Sequence, residues 1–324
     1  MRQILLPLAV LPFISAISSA QVITETFGTG ANAFSVDFVQ IGNPGNAADT
    51  TGNPNPVGSV AYIYNIGKYE VSRDMIEKAN AAGGLGITLR DMTSFGGNGV
   101  NRPATGIGWY EAAKYVNWLN TSTGGTAAYK FDSSGNFQMW SAGDVGYNAN
   151  NMFRNRLAKY VIASRDEWYK AAYGSPDGTW YNYPTGSDSV PIPVSGGTNT
   201  NTAVYMQFAP ADIDNAGGLS AWGTMGQGGN VWEWNENTYY GNNDNAYVRE
   251  LRGGSWEQSW DNSDTSFLMD SSNRHFYSNE STLEGGNGDY FLFGFRVAMI
   301  PEPSSLSLLA LGGVVVALRK RKRV

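Results

Sequence analysis

One carboxylate in this chain stands between two indoles, in Gly228-Gly229-Asn230-Val231-Trp232-Glu233-Trp234-Asn235-Glu236. The glycine pair permits positive φ and close backbone approach. Val231, Glu233 and Asn235 alternate with Trp232 and Trp234 at the period of a strand, which sends Glu233 to one side and the tryptophans to the other. A carboxylate and carbonyls beside a glycine bend are ligands that a hard cation such as calcium accepts. Two arginines occupy comparable settings, Arg252 in Leu251-Arg-Gly-Gly-Ser-Trp256 and Arg296 in Phe293-Gly-Phe-Arg-Val-Ala298. Arginine beside aromatics in a chain with only 15% charged residues is expected to pair with an acid such as Glu233 or Asp166 and to stack on rings. Trp232, Trp234 and Trp256 read as core, whereas Trp260 and the pair Tyr239 and Tyr240, in polar surroundings, are candidates for stacking on a sugar.

Other chemistries lack their residues. The chain has no cysteine, which excludes disulfides, thiolate metal sites and cysteine nucleophiles together. Its single histidine, His275 in Asn273-Arg-His-Phe276, cannot build a multi-histidine metal site and reads as a surface loop residue. A Ser-His-Asp triad would also need His275, and no Gly-x-Ser-x-Gly elbow is present. Asp212-Ile-Asp214-Asn-Ala-Gly217 imitates the first half of an EF-hand loop, but Gly223 stands where the twelfth-position glutamate belongs.

Several elements must position these residues. Residues 34–41 alternate apolar and polar side chains as a strand, 42–58 form a Gly/Asn/Pro loop, and 61–66 resume a strand. Ser72 caps a helix over 73–82, with Met75, Ile76 and Ala79 on one face and Gly83 as its stop. Trp109, Ala112, Ala113, Val116 and Leu119 recur at helical spacing in a second helix ended by Gly124-Gly125. Ser164-Arg-Asp-Glu167 is a capping box opening a third, with Trp168, Ala171 and Ala172 inward and Gly174 just past its end. From 174 to 229 turn formers dominate, and long ordered loops are expected.

The two ends read as addresses. Residues 1–20 have the charged start, apolar middle and small-residue end of a secretory signal peptide, with cleavage after Ala20. Residues 301–324 run from Pro301-Glu-Pro303 through an apolar stretch, 306–318, to Arg319-Lys-Arg-Lys-Arg323. That stretch is short of the ~20 residues that span a bilayer, so only transient membrane attachment is expected. Between the ends, 21–300 read as one domain with no internal repeat and a net charge near −11, which makes nucleic acid a poor partner.

Gly229-Asn-Val-Trp-Glu-Trp234, Arg252-Gly-Gly-Ser-Trp256 and Gly294-Phe-Arg296, in that order, resemble the signature of the sulfatase-modifying-factor family, the formylglycine-generating-enzyme domain. The resemblance runs from about Gly42 to Met299 and implies an α+β, C-type-lectin-like fold: a small antiparallel sheet, two main helices and much irregular surface. It implies copper held by two cysteines, and their positions are occupied here by Gln258 and Ser263, which argues against copper and against formylglycine generation. It also implies calcium held by the carbonyls of Gly229 and Val231 and the carboxylate of Glu233, with the side-chain ligand position occupied by Gly226. The alternative for Glu233 is to bind backbone amides. A second, weaker calcium loop would use Asn201 or Asp212. The tail resembles the PEP-CTERM sorting signal of Gram-negative bacteria, which implies an exosortase partner and delivery to the cell surface, outer membrane or extracellular matrix.

The reading that follows is an exported, surface-sorted, non-catalytic domain that binds an extracellular ligand such as polysaccharide through Gln258, Trp260, Tyr239 and Tyr240. Two alternatives stay open: a metal-dependent oxidoreductase of the same family, and a structural protein of the biofilm matrix.

Overall fold

The computed structural model describes residues 21–238, 248–257, 263–278 and 289–300. Two sheets carry the fold. The first comprises β1 (Val22–Phe27), β2 (Phe34–Ile41), β3 (Tyr64–Gly67), β4 (Tyr160–Ile162) and β9 (Val297–Met299), in the order β1-β2-β3-β9-β4 with every neighbouring pair antiparallel. The second comprises β5 (Trp232–Thr238), β6 (Val248–Arg252), β7 (His275–Ser278) and β8 (Phe293–Gly294), in the order β7-β6-β5-β8. Here β8 runs parallel to β5 and the remaining pairs are antiparallel.

Strand β2 appears over the expected residues because Phe34, Val36, Phe38, Val39 and Ile41 all find the core. Strand β3 begins later than the expected 61, since its pairing with β2 starts at Tyr64 opposite Ile41. Two residues, Phe295 and Arg296, separate β8 from β9, so the Gly-Phe-Arg segment steps directly from one sheet to the other. That connection places Arg296, wholly buried, between the sheets.

Three α-helices pack around this frame: α1 (Arg73–Gly83), α2 (Trp109–Ser122) and α3 (Arg165–Tyr173). In α1 the Ser72 hydroxyl accepts from the amide of Met75, as expected of an N-cap. The helix stops one residue later than the sequence suggested. Gly83 remains helical and the left-handed residue is Gly84, at φ 63°. Helix α2 is fastened to β4 by Asn120: its amide donates to Tyr160 O at 2.7 Å, and its Oδ1 accepts from the amides of Lys159 and Tyr160. The capping box of α3 forms, with Ser164 accepting from Glu167 N and Glu167 accepting from Ser164 N. Gly174 closes α3 with an extended backbone instead of a left-handed one, because it pairs at once with Trp180.

The interval 174–229 is irregular apart from the short parallel pair Ile192–Pro193 and Thr202–Ala203. No helix among the described residues is long and apolar enough to cross a membrane. The expected signal peptide at 1–20 and the apolar run at 306–318 lie outside them.

Candidate functional site

The turn before β5 is held by backbone that few residues adopt. Asn230 has φ 55° and Gly229 φ 76°, and a Cβ on Gly229 would sit 2.3 Å from Val204 O. Asn230 acts as the pivot. Its backbone amide donates to Val204 O at 2.7 Å, and its carbonyl accepts from Trp256 N at 2.9 Å. Its side chain accepts from Ala211 N at 2.8 Å and donates to both oxygens of Glu70 at 3.0 Å. Four separate stretches therefore converge on one asparagine.

Glu233 leaves this turn into the space between the sheets. Arg296 donates to it twice, Nε to Oε2 at 2.6 Å and Nη2 to Oε1 at 2.5 Å, and the Trp168 indole donates to Oε2 at 2.6 Å. The rest of the guanidinium donates to the carbonyls of Gly67, Lys68 and Met225. A bidentate arginine whose remaining donors are satisfied by carbonyls is the arrangement that makes a buried ion pair tolerable. The expectation for Arg296 holds. The acid of Arg252 is instead Glu250, at 2.6 Å, in place of Glu233 or Asp166, while its guanidinium lies 5.2 Å from the Tyr169 ring. Asp166 accepts from Gly58 N.

Glu233 and the tryptophans alternate along β5, but both sides are core, since Trp232, Glu233 and Trp234 are all buried. Trp232, Trp234 and Trp256 are buried as expected. His275 is exposed, yet it lies in β7 opposite Leu251, in contrast to the loop position expected.

Two further acids were missed in the sequence. Glu70 is buried beside Glu233, with Arg296 as the nearby cation; burial first and the Glu233 charge second push its carboxyl well above the ordinary range. Gly226 exists to leave it room, since a Cβ there would meet the Glu70 carboxylate at 2.8 Å. The available signal was a lone glutamate between Tyr69 and Val71, immediately before a helix cap. The other is Glu236, which shares Arg154 with Glu167 at 3.3 and 2.9 Å and also accepts from Tyr129 and Asn151. Burial raises the Glu236 carboxyl; for Glu167 burial is again the largest single cause and works in the same sense, but Arg154, the Tyr62 hydroxyl and the Ser164 amide together lower the value.

The remaining expected site residues separate widely in their environments. Gly226, Gly229, Val231 and Glu233 share the turn, with both Glu233 oxygens engaged as described. Asn201 accepts from Thr185 at 3.1 Å, and Asp212 pairs with Arg102 at 3.4 Å. Among the described residues no group of three or more His, Cys, Asp or Glu side chains is placed to hold a metal ion. Ser263 is exposed, whereas Gln258, Trp260, Tyr239 and Tyr240 lie outside the described residues. The chain entering 258 is anchored by Gln207 N donating to Trp256 O at 2.7 Å, beside the 81% exposed Phe208.

Solved structures share this architecture. The chain is similar to Treponema denticola variable protein 1 (TM-score 0.56, 18% identity, covering 86% of this chain and 99% of that one). It is similar to CarF (0.55, 17%, 82% and 98%) and to PvdO from Pseudomonas aeruginosa (0.54, 16%, 88% and 100%). At these identities the likeness is one of fold, and the fold is the α+β, C-type-lectin-like one that the signature implied. No curated protein matches the chain. Residues 300–322 match the PEP-CTERM protein-sorting motif, the signal for exosortase sorting of exported, surface-directed proteins in Gram-negative bacteria. Residues 38–299 match the sulfatase-modifying factor enzyme 1-like domain, and the chain belongs to that FGE-sulfatase family.

Proposed function

We propose that this exported domain is non-catalytic and binds an extracellular ligand such as a polysaccharide through Gln258, Trp260, Tyr239 and Tyr240. The observation that carries the reading is the absence of any cysteine, with Gln258 and Ser263 at the positions where the family's oxidases hold copper. The acids described above serve the scaffold: Glu233, Glu236, Glu167 and Glu250 each face arginine in the interior. A scaffold so pinned presents its loop side chains without needing them for folding. Sorting to the surface then sets the domain among cell-surface glycans.

The test uses the secreted fragment, residues 21–300. Incubated with oxygen, copper and a cysteine-containing sulfatase peptide, it is expected to produce no aldehyde, and on a glycan array it is expected to give signal. Aldehyde formation or a silent array would overturn the reading. Within it, calcium at the Glu233 turn would compete with Arg296 and Trp168 for the same two oxygens. The turn is accordingly proposed to stand without metal. A calcium titration that raises the Tm of the fragment by several degrees would reverse that assignment.

A further inference from the structure

A half-open cavity of about 310 Å³ lies between the 43–47 loop and the 174–180 turn. Lys170, from the last turn of α3, reaches its wall and is only 2% exposed. Its ammonium donates to Gly42 O at 2.7 Å and Asn43 O at 2.8 Å. Three donors are available to an ammonium, and among the described residues no carboxylate lies within ion-pairing distance of it. Burial without a counterion lowers its pKa to about 8, so it remains largely charged at neutral pH. Trp180 forms another wall, wedged against Gly58, Gly174 and the Tyr169 ring but still partly exposed.

We infer that this cavity is a subsite for a carboxylate-bearing sugar, one uronate unit of an acidic polysaccharide. The ammonium supplies the partner for a carboxylate, and the ligand supplies the counterion that the lysine lacks. A buried charge left unpaired is costly, so that exchange favours binding. Trp180 offers an aromatic surface for the apolar face of a pyranose ring, and Asn43 and Thr179 offer polar groups for hydroxyls. The volume is at the lower end for ligand pockets, roughly 300 Å³, which suits one ring, and the open side lets a polymer continue. A phosphate dianion fits less well: no arginine and no second lysine line the cavity, two carbonyls already face the ammonium, and the carbonyl end of α3 is close. The charge working against any anion is Asp177, held in its own turn by Ser175 Oγ and Thr179 N.

This subsite deepens the polysaccharide reading by naming a sugar class, and none of its lining residues belongs to the 258–263 stretch, so either can fail alone. The experiment is calorimetric binding of a galacturonate tetramer and of a neutral galactose tetramer to residues 21–300. The galacturonate tetramer is expected to bind roughly tenfold or more tightly than the neutral one, as an ion pair to a desolvated lysine requires. Lys170→Met is expected to erase that preference and Asn43→Gly, which suits the left-handed backbone there (φ 49°), to weaken galacturonate binding several-fold. Asp177→Asn, exposed and remote from the core, is expected to tighten it about twofold. Equal affinity for the two tetramers, or galacturonate binding unchanged in all three variants, would overturn the inference. If Trp260→Ala alone abolishes binding, the ligand is held by the 258–263 stretch: the subsite falls and the polysaccharide reading stands. If glucose 6-phosphate competes as well as glucuronate, the cavity is a general anion site and the sugar class is wrong.

Discussion

Glu70 carries an unusual electrostatic load for a residue that no chemistry in the sequence singled out. Its carboxyl is raised because burial excludes water and Glu233 adds like charge, while Arg296, Asn230 and the Val231 amide only partly compensate. A folded-state value above the ordinary 4.5 means that folding takes up a proton. The corresponding stability is fully present below 4.5 and is lost as pH rises through the folded-state value. Glu70→Gln, which resembles the protonated acid, is therefore expected to stabilise the protein at neutral pH and to flatten that part of the pH profile. Urea unfolding of both proteins across mildly acidic to neutral pH checks this, and a variant less stable than wild type at neutral pH would refute it. The Glu233–Arg296 pair should behave in the opposite way. Replacing either partner strands a buried charge, so Glu233→Gln and Arg296→Met are each expected to lose ~3–5 kcal/mol of unfolding free energy. A loss under about 1 kcal/mol would mean that the pair is exposed in solution.

At the scale of elements, the helices were the most legible part of the chain, because caps and periodicity act over a few residues. Ser72 and the Ser164–Glu167 box form where the sequence put them. Ser164→Ala is expected to cost ~1 kcal/mol, measured by the same unfolding assay. Glu167→Ala should cost more than Ser164→Ala, since Glu167 also takes Arg154 and accepts from Tyr62 Oη at 2.5 Å. Equal losses would show that the cap alone matters. The stop of α1 was misplaced by one residue because Gly83 and Gly84 are both permissive, and which of them turns left-handed depends on Trp118 pressing against Gly83. Similarly, Gly174 was expected as an ordinary helix stop, and its extended conformation answers to Trp180 pairing with it. Trp118 is remote from Gly83 in sequence, and Trp180, though close to Gly174, meets it through an isolated bridge that no strand pattern signals.

For the whole molecule, the sorting motif makes a cellular prediction. Deleting 301–324 is expected to abolish surface retention and leave the domain in soluble export fractions, as surface labelling and fractionation would show. Unchanged surface display would instead assign delivery to the folded domain. The sequence by itself determined the sorting motif at the C-terminal end, the absence of thiol chemistry, the family signature and the helix caps, because each is a local or compositional property. Only the tertiary structure decided which charges meet. Glu70 and Asn230 are 160 residues apart, and Glu233 and Arg296 are 63. Arg252 found Glu250, two residues earlier on the same face of β6, instead of the distant Glu233 or Asp166. Lys170, an ordinary helix cation in sequence, became a buried charge without an acid because the fold sets its ammonium against the 42–43 carbonyls. Burial converts a weak pairing preference into a strict one, and burial is set by how the two sheets and three helices stack.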